Sequence, residues 1–101
     1  MKPVYFVATK LEAFHGRGAD DLILSHDLEH IVALIDGRAE IVAEIANATA
    51  DVRAYIVAEI RCLVSDTDFR EAIPGFLLPD SASQSRRSLL VERLNAIAAL
   101  E

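Results

Sequence analysis

The sequence predicts an all-α domain, a small bundle of about five to six helices, on three observations. Apolar residues recur at intervals of three and four along most of the chain, whereas the period-two alternation of a half-buried strand never persists. Turn signals divide these stretches at Gly16 and Gly18, at Asp36-Gly37 and at Pro74-Gly75. A chain of 101 residues has room for one core, so we expect residues 1–101 to form a single helical domain.

The first two helices have the clearest boundaries. Pro3 is suited to the first turn of a helix, which we predict over residues 4–15 with Gly16 as its stop. Ser25 can cap a second helix that ends at Asp36-Gly37. Its apolar residues follow the i, i+3, i+4, i+7 pattern and are Leu28, Ile31, Val32 and Ile35.

The remaining elements are shorter or less sharply bounded. Helices are predicted over 38–48 and 51–64, with Thr49 as the cap of the later one. A short helix then stops at Pro74-Gly75, and residues 80–88 are polar enough to be a flexible connector. From about Ser85, the spacing of apolar residues predicts a last amphipathic helix, which carries Leu90, Leu94, Ile97 and Leu100.

Composition narrows the classes of function. Ten Lys and Arg against 16 Asp and Glu give a net charge of −6, which weighs against strong binding of nucleic acid through its phosphates. Cys62 is the single cysteine, so no disulfide can form within the chain, and we expect a reducing, cytoplasmic setting with Cys62 in the core. No apolar run is long enough to span a membrane. The apolar fraction of 52% favours a homo-oligomer that covers some of this surface.

Lys10 is the main anomaly in the pattern. On a helical wheel of about 100° per residue it lies at the centre of the apolar face of the first helix. A lysine there pairs with a carboxylate, extends its amine to water, or faces an anion. In the first case Asp27, near the edge of the second helix's stripe, is the best-placed partner. In the last case Lys10 and Arg17 point into a cleft that binds an anion, most naturally a phosphate.

The stretch SHDLEHI, residues 25–31, offers a different chemistry. His26, Glu29 and His30 match the H-x-x-E-H pattern of inverted zinc proteases, which makes a zinc-dependent hydrolase one alternative. The wheel places both histidines roughly 160 to 200° from the apolar stripe, so we expect them to face solvent. A catalytic zinc also needs a third protein ligand and a sheltered open position. The two histidines are therefore weak metal candidates.

The order ATKLEAFHGRG followed by SHDLEHI resembles the C-terminal half of bacterial nucleotidyltransferases related to the abortive-infection toxins, which share a minimal DNA-polymerase-β-like core. In that family a K-L-x-A-hydrophobic helix is followed seven residues later by Arg, and then by a helix that opens with Asp. The resemblance covers residues 5–38 well. It implies that Lys10 contacts a nucleoside triphosphate, that Arg17 supports the same anionic site, and that Asp27 orients the lysine or the nucleotide.

The sequence also departs from this family. Many members have Arg or Lys before the Asp and a second Asp three positions after it, where this chain has His26 and His30. The family's metal-binding carboxylates lie in a Gly-Ser loop followed by Asp-x-Asp, on a sheet that precedes the helices, and this sequence contains no such segment.

We therefore expect a helical C-terminal portion, truncated or separately encoded, that is not catalytically active alone. Its partner would be an N-terminal catalytic segment or a second chain, and the resemblance implies Mg²⁺, a nucleoside triphosphate and a toxin–antitoxin setting. The alternative from a different class is a helical interaction module that forms a homo-oligomer.

Overall fold

The computed structural model describes residues 2–17, 26–77 and 80–100, and every regular element within these ranges is helical. The four longer helices are α1 (Pro3–Arg17), α2 (His26–Gly37), α4 (Ala50–Ser65) and α7 (Arg87–Ala98). The shorter elements are α3 (Ile41–Ala46), α5 (Thr67–Ala72), a 3₁₀ helix (Ile73–Phe76) and α6 (Ser81–Ser85). The predicted all-α class is confirmed. None of the described helices is long and apolar enough to cross a membrane.

The four longer helices enclose the core. Helix α1 packs on α2 and α4 packs on α7, while contacts of α2 with α7 and of α1 with α4 join the two pairs. Their apolar stripes meet in one continuous cluster, to which α3, α5 and the 3₁₀ helix add side chains. The predicted stripe of α2 is fully buried, as are three of the four residues predicted for the last helix, namely Leu90, Leu94 and Ile97.

Some helix boundaries differ from the prediction. Helix α1 continues through Gly16 to Arg17, so Gly16 does not stop it. Helix α3 begins at Ile41 rather than at residue 38, because a turn follows Gly37 and the side chain of Arg38 is bound to Glu44. Helix α6 lies within the segment predicted as a connector.

The N-cap residues of α4 and α5 differ in whether their side chains cap the helix. Thr49 is the N-cap residue of α4, as predicted, but its side chain caps no helix N–H. A hydrogen bond with Thr49 instead lowers the pKa of Asp51. The carboxylate of Asp66 accepts hydrogen bonds from the backbone N–H of Asp68 at 2.8 Å and of Phe69 at 3.4 Å. This cap lets α5 begin with only Asp66 between it and the end of α4, and Phe69 lies in the core.

Arginine side chains cap the C-terminal ends of three helices. Arg93 Nη1 on α7 donates to the carbonyl oxygens of Ile35 at 2.9 Å and of Asp36 at 2.6 Å, at the end of α2. Arg86 Nη2 donates to the same Asp36 carbonyl at 3.0 Å. The last carbonyls of a helix have no partner within it and carry partial negative charge, so a guanidinium satisfies both needs.

Arginine side chains also cap the C-terminal ends of α3 and α7. Arg53 Nη1 donates at 3.2 Å to the carbonyl of Ala46, the last residue of α3, and at 3.3 Å to that of Ala48, two residues later. Arg61 on α4 donates through Nε to Ala98 at 2.6 Å and through Nη2 to Leu100 at 3.0 Å, at the end of α7. Many of the few lysine and arginine side chains of this chain therefore make contacts within the protein.

Arg38 and Glu44 form a bidentate ion pair across the turn between α2 and α3. Arg38 Nε and Nη2 donate to the two carboxylate oxygens of Glu44 at 2.6 and 2.9 Å. The hydrogen bonds lower the pKa of Glu44 and raise that of Arg38. A carboxyl whose pKa is lowered by folding stabilises the folded state above the ordinary glutamate pKa, and this contribution is lost as the pH falls through the folded value.

Replacing Arg38 by methionine is expected to return the pKa of Glu44 toward the ordinary glutamate range. The physical reason is the loss of both donated hydrogen bonds and of the adjacent positive charge. A carboxyl ¹³C NMR titration measures the change, and the Arg87→Met variant, which alters an exposed arginine of α7, serves as the matched control. An unchanged Glu44 titration in Arg38→Met would show that another group holds its pKa down.

Cys62 was predicted to be a core residue, and this prediction is wrong because its side chain is exposed. The buried residues of α4 lie on the other side of the helix, at Ile56, Val57, Ile60 and Leu63. Among the described residues, the large apolar side chains that are exposed are Tyr5 and Leu89, on α1 and α7. The homo-oligomer stays a prediction.

Candidate functional site

Lys10 and Asp27 meet where α1 packs on α2. Lys10 Nζ lies 3.8 Å from Asp27 Oδ1, and the two side chains are 26% and 9% exposed. A charge-assisted hydrogen bond between such groups is about 2.8 Å long, so this ion pair is not drawn to its shortest distance. The sequence prediction that Asp27 is the carboxylate closest to Lys10 agrees with this geometry, although Asp27 is more deeply buried than its edge position suggested.

The local fold explains why each member of the pair is tolerated. The face of α1 that carries Lys10 is buried through Val7, Leu11 and Phe14. The aliphatic part of the lysine side chain can lie along this apolar surface. Asp27 lies in the first turn of α2, where the positive end of the helix dipole stabilises a carboxylate. The site thus contains one ammonium and one carboxylate, both supported by the positions of their helices.

An aromatic ring adds a second contact to the ammonium. Lys10 Nζ lies 5.6 Å from the centroid of the Phe6 ring, one helical turn earlier on α1. This distance is within the range in which the face of a ring attracts a cation. The ammonium therefore lies within reach of both a carboxylate and a ring face, while about a quarter of the side chain remains accessible.

Arg17 was the third residue predicted for this site. The backbone of Arg17 is the last residue of α1, but its side chain lies outside the part of the structure that is described, as do Ser25 and the connection over 18–25. Its predicted contact with an anion therefore stays a prediction. The backbone of α1 is helical from Lys10 to Arg17.

The histidine pattern has a different environment. His26 and His30 are exposed, as predicted. His26 Nδ1 lies 3.5 Å from Glu29 Oε2, and these side chains are 86% and 59% exposed. Within the described ranges, no group of three or more His, Cys, Asp or Glu residues is placed to hold a metal ion. The zinc alternative thus rests on a surface pair rather than on the sheltered position that a catalytic zinc uses.

An open groove lies on another part of the surface. Its volume is about 660 Å³, and it is bordered by the start of α1 at Lys2 and Tyr5 and by Arg38, Glu44 and Thr49 around α3. Neither Lys10 nor Asp27 lines it. The charged pair of Lys10 and Asp27 is the more sheltered of the two features, since its side chains are 26% and 9% exposed.

Sequence reasoning identified the two charged residues of the site but not the contact of Phe6 with Lys10. The i, i+4 spacing of Phe6 and Lys10 is a usable signal, since residues four apart on a helix lie one above the other. No protein-family model, curated protein or solved structure matches this chain.

Proposed function

We propose that this chain is the helical C-terminal portion of a nucleotidyltransferase-like protein, in which Lys10 contacts the phosphates of a nucleoside triphosphate. Asp27 orients the lysine in this proposal, and Arg17 adds a second positive charge on the same side of α1. The observation that carries the proposal is the 3.8 Å approach of Lys10 Nζ to Asp27 Oδ1, beside the buried apolar residues of α1 and α2. These are two of the three residues that the sequence resemblance assigns to nucleotide binding.

The geometry of the pair supports an anion contact. A pair with a purely structural role stabilises the fold best when it is closed by short hydrogen bonds, because burying charge is costly. Here the separation is longer, and the lysine remains partly accessible. An ammonium has three donors, so Lys10 can keep its interaction with Asp27 while it donates to a phosphate oxygen.

In this proposal, another part of the protein binds the metal ion. The described residues include no group of three or more His, Cys, Asp or Glu placed to hold a metal ion. This chain would bind and orient the triphosphate, while paired carboxylates elsewhere would position the metal. Such positioning is the greater part of catalysis in phosphoryl and nucleotidyl transfer.

Replacing Lys10 by glutamine is expected to weaken nucleoside triphosphate binding by about tenfold, the equivalent of one charge-assisted hydrogen bond. Binding is measured by titrating ATP, GTP, CTP and UTP into ¹⁵N-labelled protein and following amide shifts around α1 and α2. Lys2→Gln is the matched control, because Lys2 is the other lysine of the chain, is exposed and precedes α1.

Two results would contradict the proposal. One is that none of the four nucleotides shifts the amides of α1 and α2 in the unaltered chain, with or without Mg²⁺. The other is that Lys10→Gln and Lys2→Gln bind equally well, which would show that any affinity comes from net charge alone. Circular dichroism of both variants establishes that each remains folded.

A further inference from the structure

We infer that Phe6 is a positioning residue for Lys10: its ring fixes the lysine ammonium at the α1–α2 interface so that it can meet a phosphate. The inference rests on the proposed function and deepens it, because it concerns how the same lysine is presented. It starts from the 5.6 Å separation between Lys10 Nζ and the centroid of the Phe6 ring.

Lysine needs such a constraint more than most residues. Its side chain has four rotatable bonds, and ordering it costs more conformational entropy than ordering most other side chains. At 3.8 Å, Asp27 attracts the ammonium without the directional hold of a short hydrogen bond. The ring face of Phe6 supplies a second attraction from the same helix, so two groups rather than one restrict the ammonium.

The ring and the carboxylate differ in how they would respond to an incoming phosphate. Asp27 is an anion, so it repels the ligand and competes with it for the donors of Lys10. Phe6 is neutral and interacts through the face of its ring, so it takes no hydrogen-bond donor from the ammonium. Phe6 can therefore hold Lys10 in both the free and the bound states, whereas the contact with Asp27 must be shared.

The residue type at position 6 is consistent with this role. Phe6 is only partly buried, in contrast to Val7 and Phe14 on the same helix, which are buried in the core. An aliphatic residue would serve equally well if apolar bulk were the requirement. The attraction to a cation is specific to the aromatic face.

The experiment compares Phe6→Leu, which keeps apolar bulk but removes the ring, with Phe6→Tyr, which keeps the ring face. Selective ¹³C labelling of lysine gives signals from Lys10 and Lys2 alone, because the chain has no other lysine. In the unaltered chain the ε-methylene signals of Lys10 are expected to lie upfield of those of Lys2 through the ring current of Phe6. Phe6→Leu should remove that difference, and Phe6→Tyr should retain it.

Nucleotide affinity provides the second measurement. Phe6→Leu is expected to weaken triphosphate binding by up to about two- to fivefold, because losing a cation–π contact at a partly exposed site lowers by that factor the fraction of free protein whose ammonium is already in place. Phe6→Tyr is expected to restore most of it. Tyr5→Leu is the matched control, because it removes the neighbouring, exposed ring of α1 from a different face of the helix.

The outcomes separate the inference from the proposed function. If the unaltered chain binds triphosphate and Phe6→Leu binds equally well or more tightly, the inference is overturned while the proposed function stands. If Phe6→Leu leaves the Lys10 signals unchanged, the ring does not position the ammonium. If the unaltered chain binds no triphosphate, the proposed function fails, and the role of Phe6 in phosphate binding fails with it.

Discussion

Replacing Phe69 by alanine is expected to lower the free energy of unfolding by about 3–5 kcal/mol, the usual effect of emptying a buried phenylalanine site. The side chain of Phe69 is 1% exposed and belongs to the central cluster. Its ring lies 6.2 Å from that of Phe76 at a tilt of 40°, a geometry that adds to the energy of burial. Urea denaturation followed by circular dichroism measures the loss.

The effect should be large because α5 has little else to hold it. The helix has six residues, too few to be stable by itself in water, and Phe69 is its buried residue. Leu89→Ala is the control, since Leu89 is 40% exposed, and its truncation is expected to change stability by about 0.5 kcal/mol or less. Equal losses in the two variants would show that Phe69 does not anchor α5.

Replacing Arg93 by methionine is expected to cost about 2–3 kcal/mol of unfolding free energy. Methionine keeps the apolar stem but removes both hydrogen bonds to the end of α2. The carbonyl of Asp36 keeps its bond from Arg86, whereas the carbonyl of Ile35 loses the donor described for it. An unsatisfied, partly buried acceptor and a lost charged donor each fall in the range of about 1–3 kcal/mol.

Arg87→Met is the matched variant, because Arg87 lies on the same helix and is exposed. It should change stability little, and urea midpoints of the two variants compare them directly. Hydrogen exchange adds a local test. Compared with the unaltered chain, Arg93→Met should speed the exchange of the amides in the last turn of α2 more than that of the amides of α4. The same acceleration in every helix, or no acceleration in any helix, would contradict a cap that acts on α2.

Much of the helical core follows from local periodicity. Each residue in the buried stripe of α2 was predicted, because apolar residues spaced by three and four lie on one face of a helix and that face packs on the core. The exposed positions of His26 and His30 follow from the same wheel. Cys62 shows where this reasoning fails. It lies within an apolar stretch of sequence, but about 200° around the helix axis from the buried Ile60. Its position around the helix, rather than the hydrophobicity of its neighbours in sequence, determines its exposure.

The arginine caps were beyond sequence reasoning for a physical reason. Arg61 reaches residues 37 and 39 positions away, and no local pattern indicates which helix end a long side chain will meet. The caps by Asp66 and the pair of Arg38 with Glu44 are local and were missed for another reason. Acidic residues near a turn are common on protein surfaces, and only the geometry shows that Asp66 accepts from two N–H groups.

The site was partly predictable because a charged residue on an apolar face is a conflict that sequence can expose. Lys10 was found in this way, and Asp27 followed as the carboxylate nearest the α1–α2 interface. The distance between them, the burial of Asp27 and the closeness of Phe6 depend on how the helices pack and on rotamers, which periodicity does not determine. Arg17 stays a prediction, since its side chain lies outside the described residues.

The Arg93 cap also has a consequence for the order in which the chain can mature during synthesis. The carbonyls of Ile35 and Asp36 receive their donor from a residue 58 and 57 positions later. A nascent chain emerges from its N-terminus at about 5–20 residues per second, so the end of α2 waits several seconds for that donor. Until α7 emerges, α2 can form as a helix, but its last carbonyls lack the hydrogen bonds that Arg86 and Arg93 donate in the folded protein.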